Sequence, residues 1–272
     1  MVDLQTYVPA QLSSIVKSFW SLQVSDTANL PYVENIIPDG HQEIIFHLSA
    51  STAKRSTEQL EWLTEPDAFF AGQTRSPYSL ELRPGSLLYG IRFHPHTMYN
   101  LFKFPASLIT DTIVSIHDIP QAKLLHVCLT EDPRQTFLNF ENTLTNLCNR
   151  IYKTSLPFQY VDYTIQQIIT HRGNIKIESI RQKTGVSQRY LDTIFRQWVG
   201  ITPKEFSSII KINHFIDYRQ QHPEKKLTEC SHENQFFDQS HLIRIFKTFT
   251  GQSPKNYFHT PHTISTYFAQ SY

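Results

Sequence analysis

Cysteine is scarce in this 272-residue chain: Cys128, Cys148 and Cys230 are odd in number, far apart and in no CxxC arrangement. That pattern points to neither a disulfide framework nor a zinc site and suits a reducing compartment. Long apolar runs are missing too. None approaches the ~20 residues needed to span a bilayer. No basic segment followed by an apolar core opens the chain, so a cytoplasmic protein without a membrane partner is expected. No constellation of catalytic groups stands out, so neither enzymatic chemistry nor a cofactor is expected. A one-sided charge is also lacking, with 25 Lys+Arg against 24 Asp+Glu. The near-neutral total hides a polarity, however. Residues 1–157 hold 11 basic and 15 acidic residues, a net −4, and residues 158–272 hold 14 and 9, a net +5. Two domains are expected at this length, the second with a charge that fits nucleic acid.

What the chain does have is a repeat. Residues 190–206 read YLDTIFRQWVGITPKEF, and 51 residues later residues 241–257 read HLIRIFKTFTGQSPKNY. Six of the 17 aligned positions are identical, and four more are chemically close. Leu191, Ile194, Phe195 and Trp198, like Leu242, Ile245, Phe246 and Phe249, follow the i, i+3, i+4, i+7 spacing of a helix with one apolar stripe. Ser187 and Asp238 stand where an N-cap is wanted, with Val186 and Phe237 before them placed to staple onto Leu191 and Leu242.

The opposite faces carry Gln188, Arg189, Asp192, Thr193 and Arg196 in the first copy and Gln239, Ser240, Ile243, Arg244 and Lys247 in the second. Gln, Arg and Lys near the start of a short helix suit the base edges and phosphates of a major groove. Gly200 and Gly251 follow as expected C′ residues. Thr202-Pro203-Lys204 and Ser253-Pro254-Lys255 then start the next helices with a cap, a proline and a cation. Residues 203–220 predict a connecting helix of roughly 27 Å, long enough to bridge grooves that recur about every 34 Å. The base-reading candidates are Gln188, Arg189, Thr193, Gln239, Ser240 and Arg244, and the phosphate candidates are Arg196, Lys204, Lys247 and Lys255.

The stretch from about Ile165 to Phe258 resembles the double helix-turn-helix DNA-binding domain of AraC/XylS transcription regulators. The second unit carries the more specific match, Phe237-Asp238-Gln239-Ser240-His241-Leu242 followed by Phe246-Lys247, Phe249-Thr250-Gly251 and Ser253-Pro254. The first matches through Gly185-Val186-Ser187, Tyr190-Leu191, Phe195-Arg196 and Gly200-Ile201-Thr202-Pro203. The resemblance implies a bacterial regulator of transcription whose partners are double-stranded DNA and RNA polymerase, and leaves open a small-molecule effector and a homodimer. Two positions depart from the pattern. Arg181 replaces a small residue between the helices of the first unit, which puts its close packing and its reading of bases in question. Gln235 replaces the turn glycine of the second, so that either Asn234 takes the left-handed conformation or the turn is reshaped.

The N-terminal half reads as strands around residues 43–48, 78–82 and 86–93, with turns at Pro38-Asp39-Gly40 and Pro84-Gly85. Together with Phe70-Ala71-Gly72-Gln73 and Gly90-Ile91-Arg92-Phe93-His94-Pro95, it is similar to an uncharacterised domain that precedes the DNA-binding part in a subset of AraC-type regulators. A cupin-like barrel is the analogy. The expected fold class is therefore α+β: a β-rich regulatory or dimerisation domain at 1–152, a linker at 153–157, an all-α double helix-turn-helix at 158–259 and a polar tail at 260–272. Asp39 and Arg92 read either as a turn cap and an ion pair or as anchors of an effector pocket. His94 and His96 are expected on one strand face, near His41 and His47, but lack the further ligands a metal site needs. Phe140, Leu144, Leu147 and Ile151 form a seam that would serve either a second subunit or the β domain. Other readings stay open: a ligand-independent DNA-binding dimer, or a metal-dependent enzyme fused to a DNA-binding tail.

Overall fold

The computed structural model describes residues 2–26, 30–48, 53–56, 61–120, 122, 125, 127–151, 154–260 and 264. Among the described residues the N-terminal half has ten strands: β1 (Val2–Tyr7), β2 (Val16–Val24), β3 (Tyr32–Ile36), β4 (Gln42–His47), β5 (Ala53–Ser56), β6 (Leu63–Thr64), β7 (Ala68–Ala71), β8 (Tyr78–Leu82), β9 (Leu87–Phe93) and β10 (Ile113–Ser115). They form two antiparallel sheets, ordered β1-β2-β9-β4-β7-β10 and β3-β8-β5-β6. The runs of branched and aromatic residues explain the strands, since such side chains pack well on a pleated surface.

One apolar layer lies between the sheets, with Trp20, Leu22, Ile45, Phe69, Leu82 and Leu88 buried. A second lies on the other face of the larger sheet, beneath α1 (Thr97–Phe102) and α2 (Pro133–Ile151). Here the seam finds its partner. Phe140 and Leu144 are fully buried and Leu147 nearly so, with Phe140 edge-on to Phe19 at 5.3 Å. These residues pack the helix on its own β region and are not available to a second copy. Ile151 ends the helix, and its side chain lies outside the described residues.

The rest is helical: α3 (Leu156–Thr170), α4 (Ile177–Thr184), α5 (Gln188–Val199), α6 (Pro203–Gln221), α7 (Leu227–Glu233), α8 (Gln239–Thr250) and α9 (Pro254–His259). Helix α3 starts inside the stretch read as a linker. Ser155 caps it by accepting from Phe158 N at 3.3 Å, which leaves Pro157 in the first turn, where a missing N–H costs nothing. The connecting helix α6 runs 19 residues, and Phe206, Ile209, Ile210, Ile212 and Ile216 fill a shared core with the stripes of α5 and α8.

The β region and the helices touch along a broad seam. Gln42 Nε2 donates to Val199 O at 2.9 Å, Thr110 Oγ1 to Gly200 O at 2.8 Å and Gln197 Nε2 to Tyr99 Oη at 2.7 Å. Trp198 packs between Tyr99 and Phe158, with ring centroids 4.6 and 5.7 Å away. All of these hold α5. Helix α6 is held through Asn213 Nδ2, which donates to Pro38 O at 3.0 Å. Helix α8 is met at its end, where Asn35 Nδ2 donates to Thr250 O at 2.8 Å. From the tail, Ile264 is buried in the layer between the sheets, and its N–H donates to Glu34 at 3.0 Å. Among the described residues no helix is long and apolar enough to cross a membrane.

Candidate nucleic-acid interface

Each unit sets its second helix by local chemistry. In the first, Gly185 makes the left-handed turn after α4, and the Ser187 hydroxyl accepts from Tyr190 N at 3.2 Å to start α5. In the second, the Asp238 carboxylate accepts from His241 N at 2.7 Å to start α8. Both helices end on glycine. Gly200 (φ +102°) and Gly251 (φ +72°) return their N–H groups to Arg196 O and Lys247 O, and a left-handed C′ residue is what permits this. Gly200 is also buried against the β region, where a Cβ would lie 2.7 Å from Thr110 Oγ1. The next helices restart at Thr202, in a reciprocal capping box with Glu205, and at Ser253. Hydrogen bonds from Thr202, with Arg75 and Arg196 nearby, hold Glu205 below the usual carboxylate range against the upward push of burial.

The apolar stripes face the core. Leu191, Phe195, Leu242 and Phe246 are fully buried, Ile194, Trp198 and Phe249 nearly so, and Ile245 is half-buried. The remaining face is open: Gln188, Arg189, Thr193, Gln239, Ser240 and Arg244 are all exposed, as are Arg196, Lys204, Lys247 and Lys255. The two faces are unequally committed. Gln188 Nε2 donates to both oxygens of Asp192 at 3.0 Å, and Thr193 Oγ1 donates back to Arg189 O at 2.7 Å. In α8 the position of Asp192 is held by exposed Ile243. Ser240, Arg244 and the helix start together line a shallow surface hollow.

Three expectations need correction here. Phe237 does not staple onto Leu242. It is 92% exposed, and its neighbour Phe236 takes the core position instead, edge-on to Phe215 at 5.6 Å. Asn234 is not the left-handed residue. Gln235 takes φ +58° itself, while buried Asn234 donates to Cys230 O at 2.8 Å and also bonds the His214 ring. Burial of its amide outweighs the strain of a non-glycine at positive φ. His94 and His96 do not share a strand face, because β9 ends at Phe93. His94 Nε2 lies 2.9 Å from Ser13 O, whereas His96 opens α1 against Phe158. Arg181, the departure in the first unit, turns along its own helix to pair with Glu178, and Ile180 fills the core beneath it.

In the β region Asp39 and Arg92 come together. Asp39 both caps its own turn, accepting from His41 N at 2.9 Å, and pairs with Arg92 Nη2 at 2.7 Å. Arg92 is 1% exposed, and its other terminal nitrogen meets Glu43 at 2.6 Å. They line a cavity of about 70 Å3 between the sheets with Trp20, Arg55 and Ile264, room for a few water molecules. Burial pushes the Glu43 carboxyl up despite Arg92, and burial together with Arg92 holds His41 well below the usual imidazole range. Burial also raises the Tyr78 hydroxyl to about 12. Sequence reasoning missed Glu43, Arg55 and Glu65 here. A signal was available for Glu43, which directly precedes the apolar run Ile44-Ile45-Phe46, but not for Arg55, which sits between Lys54 and Ser56. It also missed Gln42, Tyr99, Thr110 and Asn213 at the seam, where nothing in the local pattern marks a residue as a contact. Among the described residues no group of three or more His, Cys, Asp or Glu side chains could hold a metal ion.

Comparison with known proteins places two families on the chain. Residues 5–115 match a domain of unknown function (DUF6597), and residues 180–260 match a helix-turn-helix domain. No curated protein matches the chain. Among solved structures, ToxT from Vibrio cholerae is similar over 95% of this chain and 98% of its own at 12% identity, with a TM-score of 0.46. The C-terminal domain of AraT, a response regulator from Geobacillus stearothermophilus, is similar over 40% and 91% at 22% identity and 0.35. The AraC-like transcriptional activator CuxR is similar over 72% and 74% at 12% identity and 0.29. The helix-turn-helix match over residues 180–260 and the open, donor-rich face support a DNA-binding transcription regulator. Its helix-turn-helix domain is of the AraC type, preceded by the domain of unknown function.

Proposed function

We propose that α5 and α8 enter adjacent major grooves of one DNA duplex. Gln188, Arg189 and Thr193 read bases from one helix, and Gln239, Ser240 and Arg244 from the other. Arg196, Lys204, Lys247 and Lys255 contact phosphates. The observation that carries this reading is the matched pair of exposed, capped helix starts at repeat-related positions, each with Gln and Arg in or next to its first turn. Readout from α5 is the weaker, because Gln188 must leave Asp192 before it can pair with a base.

The domain division near 153–157 makes the β region the regulatory part. Its cavity is the effector site, with Asp39 and Arg92 as polar anchors; at about 70 Å3 it takes a molecule of only a few heavy atoms unless the two sheets part to admit a larger one. Support comes from the segment Asn35 to Asp39: Ile36, Ile37 and Asp39 line the cavity, while Asn35 and Pro38 bond α8 and α6. A molecule that moves this segment therefore acts on the DNA-binding helices directly.

Selection of bound DNA from a random library at physiological salt, with the full chain and with Arg189→Ala and Arg244→Ala, tests the DNA reading. Two enriched blocks about one turn apart, each relaxed by one variant, are expected. Enrichment of no sequence, or blocks indifferent to both variants, contradicts it.

A further inference from the structure

Phe237 is the most exposed of the large apolar side chains described, at 92%, and stands immediately before the cap of α8. Leaving a phenylalanine in water forgoes the gain of burying it. Single exposed apolar residues are common, so exposure alone decides nothing. Place and contrast decide here. The repeat aligns Phe237 with Val186, which is half-buried on the core of the first unit. In the second unit Phe236 fills the core, its ring under the Lys211 ammonium at 4.4 Å, and the turn made by Gln235 sends the next side chain outward. Phe237 then shares its hollow with Ser240 and Arg244, two of the proposed base readers. One turn into the helix, Ile243 adds a second exposed apolar side chain where α5 carries Asp192.

A major groove offers one apolar feature to such a face, the C5-methyl group of thymine. A phosphate or a base-edge amide gains nothing from a benzyl group. We propose that Phe237 packs on a thymine methyl in the half-site read by α8, so that the second unit prefers thymine there and the first unit has no equivalent preference. This rests on the proposed DNA-reading role of α8.

The test uses the selected site with each thymine replaced in turn by uracil, which removes only the methyl group. The full chain should lose about fourfold in affinity at one or two thymines of the α8 block, what burying one carbon is worth. Phe237→Ser should bind thymine and uracil equally at those positions, and Phe237→Leu should keep part of the difference. The side chain is 92% exposed, so neither variant should lower the melting temperature. A Phe237→Ser protein that keeps the full thymine preference overturns the proposal. So does one that binds DNA as tightly as the parent but no longer supports transcription, which would move Phe237 to a protein contact. If the unmodified chain binds no selected DNA, the DNA reading itself fails and this proposal with it.

Discussion

Helix α5 is held by the β region over its last turn and beyond, through Gln197, Trp198, Val199 and Gly200, while among the described residues α8 is met at its C-terminal end, where Asn35 reaches Thr250 and Pro77 comes close to Gly251. The same repeat has thus been used in two ways. In the first unit the tryptophan that completes the stripe also faces the β region, and the open face carries an acid satisfied within its own helix. In the second the corresponding Phe249 packs on the helical core, and the outer face offers Phe237, Ile243 and Arg244. Under the proposed function, a duplicated motif divides its labour between coupling to the β region and reading DNA, with the positions of stripe and caps kept.

The strongest way to break the comparison is at Trp198. Trp198→Ala should cost about 3–5 kcal/mol in urea unfolding and loosen the β region from α5, whereas Phe249→Ala, losing a smaller ring to one core, should cost less. Equal costs would deny the first unit its special anchoring. Next comes Gln42, fully buried with its amide on Val199 O. Gln42→Ala leaves that carbonyl unpaired and should cost about 1–3 kcal/mol, against about 1 kcal/mol for Asn35→Ala at the second unit. On the DNA side, Arg244→Ala should lose about 1–3 kcal/mol on the selected site and relax one base pair, with a smaller loss for Arg189→Ala. A loss equal on every sequence would recast Arg244 as a phosphate contact.

Acid should act on the first unit's support. Burial holds His96 at about 3, and its ring lies 4.9 Å from Phe158 of α3. The unfolded chain takes up the proton near 6.5 and the folded one only near 3. The contribution is therefore complete above pH 6.5 and falls with decreasing pH through that window, by at most about 1.4 kcal/mol per unit. Denaturant midpoints at pH 7.5 and 5.5 should differ for the parent, and differ less for His96→Phe. The smallest effect is expected for Asp192→Asn. It removes a negative charge from the first face and should raise DNA affinity a few-fold at low salt, vanishing at high salt.

The helical half was legible because its signals are local. A cap, a stripe at 3.6-residue spacing and a C′ glycine fix each helix from within a dozen residues, and the repeat wrote them twice. The turn at Gln235 was not, since its conformation follows from Asn234 and Phe236 being buried, a tertiary outcome. Phe237 was misplaced for the same reason: two adjacent phenylalanines competed for one core position, and spacing from Leu242 did not say which would win. In the β half the strands at 78–82 and 87–93 were visible as branched and aromatic runs. The pairing of Asp39 with Arg92, 53 residues apart, and the seat of Ile264 depend on sheet order, which no local pattern records.

Methylation interference at guanine N7 on the selected site tests the central claim most directly, because N7 lies in the major groove. Two clusters of interference are expected on one face of the duplex, about 10 base pairs apart, with the cluster under α8 the stronger and the one weakened by Arg244→Ala. A single cluster, or two that Arg244→Ala leaves unchanged, would contradict it.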